Sequence, residues 1–235
     1  MAEFDVPAGH AILAPMSLKV APGDHICLLG PSGIGKTTLL NRLAGLERGQ
    51  PRPTLRIGYL FQEHRLLPWR TLRDNLRLVG VGRDQVKPLL ARVGLEQAAD
   101  RYPDQLSLGM ARRAALARCL AMRPDLLLLD EPFASLDPHR ADELKGLIRM
   151  LLKQFPAMAM ICVTHEARDA EALANRIWYL AGAPPTCATM PGSMPRPTPG
   201  WPGAWMRWGA RRPARRTESP SRSTLSTVRR SSPQA

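Results

Sequence analysis

The chain runs to 235 residues, 44% of them hydrophobic and 23% charged, enough to bury a substantial core, and its formal net charge is +13. Four widely spaced cysteines (Cys27, Cys119, Cys162, Cys187) form no CxxC pair, which argues against zinc and redox motifs and fits reduced thiols; no apolar run approaches bilayer length, and the N-terminal MAEFDVPAGH, with two acids, lacks the apolar stretch of a secretory signal. The basic excess is uneven: residues 183–235 hold nine arginines, no lysine and one glutamate, a net +8, so residues 1–182 carry only +5 and no nucleic-acid partner is expected.

Taken in chain order, HICLLG from His25 is an apolar strand ending in glycine, and KTTLLNRLAGL from Lys36 reads as a helix. LRIGYLF is strand-like, and TLRDNLRLV and QVKPLLARVG are helical. In DQLSLGMARRAALARCLA, Ser107 sits at a cap position, and Met110, Ala114, Ala117 and Ala121 recur at spacings that share one helix face. DLLLLD is a continuous apolar run, the pattern of a parallel strand covered on both faces. In DPHRADELKGLIRMLLKQF, Asp137 can cap, Pro138 can take the first helical position, and Leu144, Leu147, Leu151 and Phe155 form the inward stripe. AMICVT is another buried strand, EARDAEALAN a helix and RIWYL a strand. Strands alternating with helices predict an α/β fold with a mainly parallel sheet over residues 1–182.

After Gly182 the composition turns to Pro, Ser and Arg without usable periodicity. Such a segment cannot bury enough apolar surface to fold alone, so residues 183–235 are expected to be a disordered tail, either an ordinary extension or the out-of-frame end of a GC-rich gene.

Two stretches carry chemistry. GPSGIGKT, from Gly30 to Thr37, fits G-x-x-x-x-G-K-[ST] between a strand and a helix, the context that a phosphate-binding loop requires. Its glycines let backbone N–H groups and the helix start point at phosphates, Lys36 adds a point charge toward the β- and γ-phosphates, and the Thr37 hydroxyl can ligate Mg²⁺. The expected nucleotide contacts are Gly30, Pro31, Ser32, Gly33, Ile34, Gly35, Lys36, Thr37 and Thr38. At the end of LLLLDE, Asp130 is placed to hold Mg²⁺ and Glu131 to polarise an attacking water.

The phosphate loop, LSLGM, LLLLDEP, SLD and an isolated histidine after a strand occur in the order found in ATP-binding subunits of ABC transporters, and the chain resembles that family over about residues 12–182. The resemblance implies ATP and Mg²⁺ as ligands and a P-loop fold with a helical signature subdomain. It also implies a reduced antiparallel β-subdomain, because the segment before Gln62 is short. It makes Gln62 a Mg²⁺ and water ligand that senses the γ-phosphate, His165 a γ-phosphate contact, and Asp137 the aspartate of the loop after the catalytic pair. LSLGM resembles the signature LSGGQ, whose Ser107 and Gly109 would meet the ATP of a second subunit; Leu108 and Met110 replace the usual Gly and Gln, which predicts function with altered affinity. Only Phe4 and His10 lie near the place where an aromatic would stack on adenine.

FQEHRLLPWRTLRDNL resembles importers of the nitrate, sulfonate and taurine group, and Leu66, Leu67 and Trp69 are expected to form an exposed docking patch for a membrane subunit. The implied assembly is a homodimer on two integral membrane permease subunits, served by a periplasmic or lipid-anchored substrate-binding protein. That would place the chain at the cytoplasmic face of the membrane. A thiamine-precursor importer, a soluble ABC ATPase and a degenerate cassette that binds nucleotide without turnover remain alternatives.

Overall fold

The computed structural model describes residues 2–6, 13–47, 53–182 and 185–190. Among the described residues, eight strands and six α-helices follow one another as β1 (Ala2–Val6), β2 (Met16–Val20), β3 (His25–Leu29), α1 (Lys36–Leu43), β4 (Ile57–Leu60), α2 (Leu72–Arg77), α3 (Arg83–Arg92), α4 (Leu108–Ala121), β5 (Leu126–Asp130), α5 (Pro138–Gln154), β6 (Ala159–Val163), α6 (Ala167–Leu173), β7 (Arg176–Gly182) and β8 (Pro185–Met190). β1 and β2 pair antiparallel as a separate two-stranded sheet, with Phe4 opposite Leu18. The large sheet has the order β4-β5-β6-β3-β7-β8, parallel except for β8 at one edge.

The composition of the strands explains their place. Every residue of β5 and of β6 is buried, as continuous apolar runs require when both faces of a parallel sheet are covered. Successive side chains point to opposite faces. On one face, Ile26, Leu28, Leu126, Leu128, Ile161, Val163 and Trp178 pack with Leu39, Leu40 and Leu43 of α1 and with Leu18 and Val20 of β2. Each such leucine contributes about 1.5–3 kcal/mol by leaving water. α4 lies close against β4 at Gly58, where a Cβ would come within 3.1 Å of the Cys119 Cβ and carbonyl oxygen. The helix starts are chemically marked: Thr71 caps α2, Ser107 caps α4 and Asp137 caps α5, with Pro138 in its first turn.

Three expectations about the fold need correction. The folded chain does not stop at Gly182, because β8 pairs with β7 from Gly182↔Pro185 to Ile177↔Met190. The strand opens on proline and shares the composition of the Pro-rich segment around it; the remaining tail, 191–235, lies outside the described residues. The inward stripe of α5 is Leu144, Ile148, Leu151 and Leu152, with Leu147 half-buried, a stripe turned by one position from the expected one. α4 is buried around most of its circumference, not on one face, since it is packed between neighbours. Phe4, half-buried, packs against the core below the β1–β2 sheet, and His10 lies outside the described residues. Among the described residues no helix is long and apolar enough to cross a membrane.

Candidate functional site

Parallel strands all end on the same side, and here their C-terminal ends are level. Leu60 pairs with Leu129, Asp130 with Val163, and Leu28 with Val163. One rim therefore carries Gln62 two residues beyond β4, Asp130 and Glu131 at the end of β5, His165 two residues beyond β6, and the loop from Gly30 beyond β3. This is the edge where open α/β sheets place their ligands.

The loop from Gly30 to Thr37 needs its glycines. Gly33 and Gly35 have φ of +75° and +100°, and a Cβ on Gly30 would lie 2.7 Å from the Leu180 carbonyl oxygen. Pro31, Ser32 and Gly33 stand exposed, Ile34, Gly35 and Thr38 are half-buried, and Thr37 is exposed at the start of α1. Lys36 is only 7% exposed; its Nζ donates to the carbonyl oxygens of Gly30 (3.0 Å) and Pro31 (2.9 Å). An ammonium has three N–H bonds, so a third remains for a ligand. Burial lowers the Lys36 pKa, and the charges of Glu131 and Asp130 oppose that shift.

The Thr37 hydroxyl donates to Asp130 Oδ1 at 3.2 Å. Asp130 is buried, and burial raises its pKa above the usual carboxylate range, with the Thr37 hydrogen bond and the Lys36 charge acting against the rise. A hydroxyl and a carboxylate facing each other are hard oxygen donors of the kind Mg²⁺ takes. Glu131 departs from the strand with φ of +45°, its amide donating to the Val163 carbonyl at 3.1 Å, so its side chain is re-aimed at the rim and not continued along β5.

Two supports were not legible as site residues. Tyr59 in β4 donates its hydroxyl to Asn41 Oδ1 of α1 at 3.1 Å and stacks on Phe61 with centroids 3.9 Å apart. Behind exposed His165, the buried Thr164 hydroxyl donates to Asp169 Oδ2 at 2.7 Å, and Lys145 bridges Asp169 and Asp142 at 3.1 and 2.8 Å. That network fixes the turn that presents His165. A Thr-x-x-x-x-Asp spacing at a strand-to-helix junction was its only trace in the sequence.

Ser107, Gly109 and Asp137 form a second group. Ser107 Oγ accepts from the Met110 amide at 3.3 Å. A Cβ on Gly109 would lie 3.6 Å from Arg140 Cδ, so the start of α4 abuts the start of α5. Asp137 accepts from the Arg140 amide at 3.0 Å and pairs with its side chain at 3.1 Å. Leu108 stands 36% exposed at this tip. In the expected docking patch, Trp69 is 68% exposed but Leu66 is buried at 8%, so the patch narrows to Trp69 and half-buried Leu67.

A glycine-rich loop at a helix start, a lysine aimed along it and an acid pair on the neighbouring rim define a P-loop nucleoside triphosphatase fold. Residues 13–134 match the ABC transporter family. The chain is 45% identical over 172 residues (71% of this chain, 69% of the relative) to an aliphatic sulfonates import ATP-binding protein of Paraburkholderia xenovorans. It is 42% identical over 204 residues (83% and 78%) to a protein of the same description from Pseudomonas fluorescens. Among solved structures it resembles a dimeric ATP-binding cassette in a post-hydrolysis state bound to ADP and Pi. That likeness has a TM-score of 0.62 and 26% identity, covering 75% of this chain and 90% of that one. The chain belongs to the ABC transporter family as an ATP-binding subunit, and it is an ATPase.

Proposed function

We propose that the chain is the ATP-hydrolysing subunit of an importer for a small anionic solute of the aliphatic sulfonate kind, acting as a homodimer on two membrane permease subunits. The observation that carries this reading is the level rim, which gathers Gln62, Asp130, Glu131 and His165 beside the loop at Lys36. The solute class comes from the relatives' descriptions, and the dimer from the solved cassette.

Backbone N–H groups of the loop and the free N–H of Lys36 take the phosphates. Thr37 and Asp130, with Gln62, would hold Mg²⁺, which supplies charge neutralisation of the phosphate oxygens. Glu131 orients the water and accepts its proton, while His165 contacts the γ-phosphate. Ser107 and Gly109, at a helix N-terminus remote in sequence from the loop, would close on the nucleotide of the partner subunit, beside Asp137. Exposed Trp69 serves as the contact to the permease, at the inner face of the membrane.

The test is Glu131→Gln. It should bind ATP normally, turn over about 10²–10⁴ times more slowly, and accumulate as a dimer in ATP and Mg²⁺, seen by sedimentation. A variant that hydrolyses at the normal rate and stays monomeric removes both Glu131 and the ATP-closed dimer.

A further inference from the structure

At the end of the strands away from the nucleotide rim, a cleft of about 890 Å³ opens beside the starts of β5 and β6, with Asp125 and Met158 in its lining. At about 3.3 Å per residue, β5 puts roughly 17 Å of sheet between Asp125 and Asp130. Three walls meet there. α3 presents Asp84, Gln85, Pro88, Leu89 and Arg92, spaced so that they share one helix face, while Val86 and Leu90 are buried on the other. Leu120 and Arg123 come from the end of α4, and Phe155, Pro156 and Met158 from the turn into β6.

The lining sorts by depth. Val81, Leu120 and Met158 are buried, whereas Arg56, Arg92 and Arg123 are exposed. Of these three guanidinium groups, Arg56 is neutralised by a fork of two bonds to Asp125, at 2.8 and 3.2 Å. Arg92 lies 5.6 Å from the centre of the Phe155 ring, a contact that spans from α3 to the facing turn and fixes the cation without cancelling its charge. Arg123 has no ion pair among the described residues. Its backbone sits at φ of +46° in the turn that ends α4, a left-handed position that favours glycine, and its amide donates to the Leu120 carbonyl at 2.9 Å. Asp84 is the one lining acid left to oppose the two uncommitted cations.

A concave apolar surface of this volume with a few placed charges is the make-up of a small-molecule site. We propose that this cleft binds a small organic anion with an apolar body, its head held by Arg92 and Arg123 and its body laid on Leu89, Leu120 and Met158. An inorganic anion would leave the apolar floor bare, and an uncharged apolar molecule would leave both guanidinium groups without a partner. A cation of the same shape would find Asp84 alone. None of these residues belongs to the rim, so the site stands apart from the nucleotide chemistry. A ligand in it joins α3 to the turn into β6, and its mark falls on backbone that nucleotide does not touch.

The test is calorimetric titration of the full chain with 1-naphthalenesulfonate, beside three probes that each change one feature. These are 1-naphthalenemethanol, which lacks the charge, 1-naphthylmethylammonium, which reverses it, and inorganic sulfate, which lacks the apolar body. The sulfonate should saturate one site with a Kd of about a millimolar or tighter, the strength expected of a ligand of about fourteen heavy atoms. The other three should bind about tenfold more weakly or worse. Amide hydrogen exchange should show protection by the sulfonate at residues 84–92 and 154–158, and saturating ATP with Mg²⁺ should displace none of it. Arg92→Gln and Arg123→Gln should each weaken the sulfonate about tenfold, the scale of losing a charge-assisted hydrogen bond, and leave the alcohol as it was. Ala157→Trp, which puts an indole into the cleft, should abolish binding of both. Equal affinity for sulfonate, alcohol and ammonium overturns the proposal, as does equal affinity for the sulfonate in the unaltered chain and both glutamine variants. Absence of saturation overturns it too, and so does displacement by ATP, which would put the probe on the rim. If Ala157→Trp fails to fold, the glutamine variants decide, since both arginines are exposed and their replacement leaves the core untouched.

Discussion

The rim of the sheet and the lobe formed by α2 to α4 both bury polar groups, and they use them in opposite ways. At the rim, Lys36 and Asp130 are buried with their pKa values pushed toward the neutral forms, and Lys36 keeps an N–H uncommitted. In the lobe, buried polar side chains spend themselves on loop backbone. Asn75, 2% exposed, accepts from the Leu67 amide and donates to the carbonyls of Leu67, Arg70 and Thr71, while Arg112 and Arg118 hold Phe61 to Arg65. The rim holds charge in readiness for a ligand. The lobe holds loops in shape. A substitution at the rim should therefore change binding and chemistry with little harm to the fold, and one at the loop-holding Asn75 of the lobe should do the reverse.

The largest effect belongs to Lys36→Ala. It removes the one cation placed along the phosphate loop, so ATP affinity should fall by two orders of magnitude or about that much, the scale of losing charged hydrogen bonds to a ligand. The melting temperature should stay close to that of the unaltered chain, because burial already disfavours the Lys36 ammonium. Unchanged binding of labelled ATP would break the contrast at its strongest point.

Asn75→Ala should invert the pattern. It strips four hydrogen bonds from the loop 67–71 and leaves the Leu67 amide and the Arg70 carbonyl to find water, while the Leu67 and Thr71 carbonyls keep the backbone N–H groups of Arg70 and Asn75. A stability loss of about 1–3 kcal/mol is expected from urea unfolding. Since Trp69 rides on that loop, retention on membranes containing the permease should fall as well, while ATP affinity holds. Weakened nucleotide binding with normal stability would mean that the lobe also holds the ligand site.

The two regions also differed in how far the sequence revealed them. The phosphate loop, LLLLDE and the serine cap at Ser107 are contiguous, and each demands a particular backbone: glycines at positive φ, a strand end, a helix start. Contiguous demands can be read from one line of residues. The strand order cannot. That β3 lies between β6 and β7, and that β5 lies beside β4, is decided by packing over the whole sheet. The grip of Arg112 on Phe61 and Gln62 spans about fifty residues of chain, and nothing beside the arginine in the sequence marks it. Leu66 misled for the reverse reason: a leucine beside an exposed tryptophan looks exposed until Asn75 is seen folding the loop back. β8 was hidden by its opening proline, which an edge strand tolerates.

The smallest effect, and the most direct test that the rim keeps charge for a ligand, is the stability of Asp130→Asn. Burial raises the Asp130 pKa above its unfolded value, so the folded chain binds more protons than the unfolded one between those two values. The stability this carboxyl contributes is present below the unfolded pKa and is lost as pH rises through the folded pKa. At neutral pH the ionised group is therefore a cost that asparagine removes, while its amide oxygen can still accept the Thr37 hydroxyl. Without nucleotide, the variant should melt higher than the unaltered chain at pH 7, by roughly 2–4 °C for each kcal/mol released, and the gap should shrink toward acid pH. With ATP and Mg²⁺ the order should reverse, because a ligand stabilises only the chain that binds it well. A variant that melts at the same temperature as the unaltered chain at both pH values would show that the buried carboxylate carries no strain, and the contrast between rim and lobe would lose its electrostatic basis.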